Sequence, residues 1–122
     1  MQNPSDFSAL IETRKQDWIA SSELFLDTDP RLAYAYIART LAASPYTLNE
    51  LYAILCYEVA PLLKSNLYAP AGVWEGFDED WLVKKLTPGI NRKPWFSFGL
   101  PKAIQADWQE TKGYIEIYRQ KN

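Results

Sequence analysis

A mainly α fold is what this sequence predicts: a compact bundle of about five helices in one domain over residues 1–122, with an aromatic loop at residues 87–100 before the last helix. Three observations point there. Apolar residues recur at spacings of three, four and seven along several stretches, which places them on one face of a helix. Helix-start chemistry stands at the head of three stretches: Asp29-Pro30, Thr47 with Glu50, and Asp78. Breakers stand at their ends: Ser44-Pro45, Pro61 and Thr87-Pro88-Gly89.

The first helix is capped by Ser5 or Asp6 and runs to about Leu26. Phe7, Leu10, Ile11, Arg14, Trp18 and Phe25 share its apolar stripe, with the stem of Arg14 lying along it. Glu12, Lys15 and Asp17 fall on other faces and are expected to be wet. A second helix covers residues 30–43, burying Tyr34, Ile37 and Leu41, with small Ala33 and Ala38 allowing close packing. The third starts at a capping box, Thr47 to Glu50, and runs over residues 48–60. Leu51, Ile54, Leu55, Cys56, Val59 and then Leu62 make it apolar over a wide arc, so it is the expected central helix. Pro61 kinks or ends it, or Leu62-Leu63 adds one more turn. Tyr68 to Gly72 is loop chemistry. Asp78 caps a short helix over residues 79–86, with acids at its start and Lys84-Lys85 at its end, as the helix dipole favours. A last helix opens at Pro101 with Ile104, Trp108, Ile115 and Tyr118 on one face. Gly113 weakens its middle, and the alternation over residues 114–118 also permits a strand.

Composition removes several function classes. The chain has no histidine, so His-dependent triads and zinc sites built on imidazole are excluded. A single cysteine, Cys56, allows no internal disulfide, and without an imidazole neighbour it reads as a buried, inert thiol. The net charge of −2 offers no basic footprint for nucleic acid. No apolar run is long enough for a membrane span, and no secretory signal is present, so the cytoplasm is the expected compartment. Five glycines are scattered and make no phosphate loop. No metal or other cofactor is expected. The charge is uneven: residues 1–60 carry four basic and eight acidic side chains, residues 61–122 nine and seven.

Aromatics are abundant, at 15%. Trp74 and Glu75 lie in a Gly-bounded loop just before Asp78 and Asp80. Arg92 and Trp95 lie in the second aromatic segment. Trp and Arg are the residue types that dominate binding hot spots, and acids steer a basic partner. These six are the candidate partner-binding residues. Three of them have a structural alternative, Asp78 as a helix cap and Trp74 and Trp95 as core plugs, and neighbouring Phe77 reads as a staple onto Leu82. Glu58 sits within the apolar central helix, and a buried salt bridge to Arg14 or Arg39 is its expected role. The rival is a small carboxylate enzyme or ligand-binding domain in which Glu58, Asp27 and Asp78 meet in a pocket. A third possibility is a self-associating helical adaptor.

Four segments together resemble a family of small bacterial domains of unknown function: Trp18 with residues 22–28 (SELFLDT), residues 44–51 (SPYTLNEL), residues 58–61 (EVAP) with Asn66-Leu67, and residues 72–77 (GVWEGF) with Trp81-Leu82. The likeness spans roughly residues 12–86. Domains of this kind resemble immunity or partner-binding proteins of bacterial toxin systems. The resemblance implies an immunity or partner-binding role; with the catalytic groups and export signal missing, the expected protein is a non-catalytic, cytoplasmic monomer or homodimer that neutralises a cognate protein toxin by occluding its active site.

Overall fold

The computed structural model describes residues 4–25, 34–63, 78–90 and 100–121, with side chains from residue 7 onward. Helix α1 spans Pro4–Ser22 and tightens into a 3-10 turn, Glu23–Phe25. Helix α2 spans Tyr34–Ala43. Helix α3, Leu48–Ile54, passes through a π turn, Leu55–Val59, into α4, Ala60–Leu63, so the three form one continuous rod. Helix α5 spans Glu79–Leu86 and tapers into a 3-10 turn, Thr87–Gly89. Helix α6 spans Lys102–Gln120. Among the described residues there is no strand, and the chain forms an all-α bundle.

The expected start signals operate. The Thr47 hydroxyl accepts from the Glu50 amide at 3.1 Å, while Glu50 Oε1 accepts from the Thr47 amide at 2.9 Å. Asp78 Oδ1 accepts from the Trp81 amide at 3.0 Å and caps α5. The Asp29-Pro30 start and the Phe77 staple lie outside the described residues, as does most of the aromatic loop.

Pro61 neither ends nor sharply interrupts the rod. A proline within a helix lacks its N–H and crowds the carbonyl four residues back, here that of Tyr57. The π turn just before it widens the ladder: the Ala60 amide reaches back five residues to Leu55 O. The extra residue accommodates Pro61 and lets the helix continue through Leu63.

Trp18, Phe25, Ile37, Leu41, Leu51, Leu55, Val59, Leu82, Ile104 and Ile115 are among the buried apolar side chains and form one core. Helix α2 lies along α6, and α1 packs against α2, α5 and the π turn. Hydrogen bonds between side chains help tie α6 to the other helices: Tyr34 Oη donates to Asp107 Oδ1 at 2.6 Å and Tyr52 Oη to Gln105 Oε1 at 2.8 Å. Residues 114–118 are helix, because Ile104, Trp108, Thr111 and Ile115 continue one helical stripe straight through that segment.

Two expectations need correction here. Phe7 is 41% exposed, and full burial along α1 begins only at Arg14. Asp17 is fully buried rather than wet. Helix α1 is packed on more than one side, so its buried arc is wider than the apolar stripe in its sequence. Tyr118 lies on its expected face of α6, half-buried against the core, with the Arg39 guanidinium 6.0 Å from its ring centroid.

The capping box gives a direct check. Thr47→Ala removes the acceptor for the Glu50 amide and is expected to lower stability by about 1 kcal/mol in urea unfolding. An unchanged midpoint would contradict the role given to this cap.

Candidate functional site

The chemistry-bearing side chains of the described residues fall into two groups: a buried polar layer and an exposed acidic helix start. The layer is centred on Glu58, held inside the π turn. Its Oε1 accepts from Arg14 Nη1 at 2.7 Å and from Trp18 Nε1 at 2.8 Å, and its Oε2 accepts from Arg14 Nη1 at 2.6 Å. Arg14 and Trp18 stand four residues apart on α1, so one helical turn presents both donors to one carboxylate. Arg14 Nε also donates to Tyr46 Oη at 3.2 Å, and the guanidinium lies 5.0 Å from the Tyr46 ring centroid. Burial works against the Arg14 charge, but hydrogen bonds to Glu58 and Tyr46 outweigh it and hold its pKa above the ordinary value. Of the two arginines considered for Glu58, Arg14 is therefore the partner, and Arg39 is exposed.

Asp17 lies at the other edge of this layer, and its burial was not legible in the sequence. It has no exposed surface, and neither carboxylate oxygen receives a hydrogen bond. The Ser44 hydroxyl donates instead to Leu41 O at 2.8 Å. Burial pushes the Asp17 pKa from 3.8 up to about 7, against the pull of Arg14 and Arg119.

Arg119 closes the layer. Its Nη2 donates to Leu41 O (3.1 Å), Ser44 O (3.3 Å) and Tyr46 O (2.6 Å), and its Nε to Ala42 O (3.2 Å). Those carbonyls belong to the last turn of α2 and the segment after it, where a helix runs out of internal donors and favours a cation. A cap supplied from 70 or more residues away leaves no local sequence signal.

Of the six sequence-predicted contact residues, the described structure includes two. Asp78 and Asp80 are exposed at the start of α5, next to exposed Glu79 and to Trp81, which is 40% exposed. Asp78 acts as the α5 cap, so its structural role holds whatever else it does. Trp74, Glu75, Arg92 and Trp95 lie outside the described residues. The carboxylate pocket imagined for the rival reading brings together Glu58, which is buried against Arg14, and Asp78, which is exposed; Asp27 lies outside the described residues. Among the described residues no three acids or thiols gather as a metal-ligand group. No described helix is long and apolar enough to cross a membrane.

A groove of about 440 Å3 opens where Thr13 and Gln16 of α1 face Arg39, Thr40 and Ala43 of α2, and no carboxylate lines it among the described residues. Cys56 is half-buried rather than fully buried, and burial raises its pKa, which keeps the thiol protonated and poorly nucleophilic.

A family model described as "Domain of unknown function (DUF7079)" matches residues 12–114, and the chain belongs to that family. The match agrees with the family likeness read from residues 12–86 and carries it through most of α6. Neither curated proteins nor solved structures give a match.

Asp17 makes stability pH-dependent. The unfolded chain ionises this carboxyl near 3.8, the folded chain near 7. Below the lower value both states hold the proton and folding carries no penalty. As pH rises between the two values the unfolded state loses its proton first, so stability falls, then levels off above the folded pKa. The loss is on the order of 4 kcal/mol. Urea unfolding across that window should show the decline in the wild type and a flatter profile in D17N. Equal slopes in the two proteins would contradict this reading of Asp17.

Proposed function

We propose that this member of the DUF7079 family is a non-catalytic binding domain, acting as an immunity protein that neutralises a cognate protein toxin by covering its active site. The observation that supports the reading is the start of α5, where Asp78, Glu79 and Asp80 are exposed beside Trp81. Acids steer such a surface onto a basic rim, and a large aromatic supplies contact area once water is expelled. A toxin that acts on nucleic acid or on a nucleotide carries a basic rim of this kind. Trp74 and Glu75 precede this helix in sequence, and Arg92 and Trp95 follow it; they are the further contact residues of the proposal. Burial of the Arg14–Glu58 pair favours the same reading, since those charges serve the fold.

Co-expression with the product of an adjacent gene tests it. The wild type is expected to rescue growth and to co-purify with that product. Glu79→Lys combined with Asp80→Lys reverses charge without touching the cap and should slow association at least about tenfold, most strongly at low salt. Trp81→Ala should speed dissociation. Failure of rescue and of co-purification with both flanking gene products would remove the proposal. So would substrate turnover by the purified chain that one carboxylate substitution abolishes.

A further inference from the structure

Hydrogen-bond donors are unevenly shared where α2 ends. Leu41 O accepts from the Ser44 amide at 3.2 Å, from the Ser44 hydroxyl at 2.8 Å and from Arg119 Nη2 at 3.1 Å. A carbonyl oxygen has two lone pairs, so the third donor is surplus. The amide that a continuing helix would supply to Leu41 O belongs to residue 45, and Pro45 has none, which leaves this carbonyl open to the others. Asp17 is in the opposite condition. It is fully buried, and neither of its oxygens receives a hydrogen bond. The Ser44 hydroxyl lies near enough to oppose the rise of the Asp17 pKa, yet it is turned to Leu41 O. The other groups that act on Asp17 are committed elsewhere. Arg14, on the same helix, holds Glu58 of the π turn, and Arg119 of α6 holds the carbonyls that end α2. The charged side chains of the remaining helices packed on α1 are exposed: Arg39 on α2, and Glu79, Asp80, Lys84 and Lys85 on α5.

We propose that Asp17 and Ser44 form a proton-operated switch at the end of α2: when the buried carboxyl gives up its proton to solvent, the Ser44 hydroxyl leaves Leu41 O and donates to the carboxylate. An ionised carboxylate buried without a donor is strongly disfavoured, and a hydroxyl bonds a charged acceptor more strongly than a neutral carbonyl. The exchange strands no group, because Leu41 O keeps the Ser44 amide and Arg119 Nη2. Return of the proton reverses it. Burial pushes the Asp17 pKa up to about 7, so the exchange falls near neutral pH. Ser44 and Pro45 line the groove that Thr13 and Gln16 of α1 share with α2, so the state of a fully buried carboxyl is carried to the surface. This step takes place within the folded chain, whereas the pH-dependence of stability compares folded with unfolded.

Carbon-13 NMR of the full chain from about pH 5 to about pH 9 tests the switch. The Asp17 carboxyl carbon should titrate with a midpoint of about 7. Ser44 Cβ and the Leu41 carbonyl carbon should shift with the same midpoint. Asp17→Asn should hold both constant across the range. Ser44→Ala should raise the Asp17 midpoint by at least about half a pH unit, because the carboxylate loses its donor. Ser44→Thr keeps the hydroxyl and should keep the wild-type midpoint. Ser44 and Leu41 signals that stay constant while Asp17 titrates overturn the switch, and so do shifts that persist in D17N. An Asp17 midpoint unmoved by S44A overturns it too, as does an Asp17 carbon that does not titrate in this range.

Discussion

The Arg14–Glu58 contact, reinforced by the Trp18 indole, is the constraint on which the rest of the fold depends. Two charged side chains, each 5% exposed, sit between α1 and the π turn. Taking two charges out of water costs several kcal/mol apiece, and attraction between them offsets this only when the geometry is good. Here one carboxylate collects donors from two residues a turn apart, and the guanidinium has Tyr46 as a second partner. Sliding or rotating α1 along the rod by one residue would strand both charges. The pair therefore contributes register rather than raw stability, while the apolar packing of Trp18, Leu55 and Val59 beside it drives association of the two elements.

The same polar layer extends through Asp17 to the end of α2. Arg119 gathers four backbone carbonyls there, which fixes α6 against the turn leaving α2. Asp17 is the frustrated member. It lies near two arginines, but one is engaged by Glu58 and the other by carbonyls, and neither donates to it. A protonated carboxyl is the form that fits such a place. The layer thus has one acid held by Arg14 and Trp18 and one that prefers to be neutral, because their surroundings differ.

Much of the architecture was legible because local chemistry and global packing agree. Thr47 with Glu50 and Asp78 marked helix starts that the structure places at those residues. Tyr34, Ile37 and Leu41 marked the buried face of α2, and Glu58 marked itself as a charge needing a cation. What escaped notice depends on contacts between distant segments. Nothing near residue 17 says that α1 is covered on the side that carries Asp17. Nothing near Arg119 says that its guanidinium ends a helix from the other half of the chain. The π turn was half-visible: Pro61 announced a disturbance, but whether a helix breaks or widens is decided by the packing of Leu55, Val59 and Leu63 on the core. For the candidate contact residues, the structure places Asp78 and Asp80 on the surface together and gives Asp78 a second task as a cap.

These features describe a helical scaffold whose interior charges are engaged in holding α1, the π rod and α6 together. A double-mutant cycle on Arg14→Met and Glu58→Leu, followed by urea unfolding, tests that claim most directly. Each single substitution should destabilise by about 3–5 kcal/mol, because each leaves one buried charge alone, and the double variant should regain most of the loss. Additive losses, or single variants as stable as the wild type, would show that the pair does not hold the fold in register.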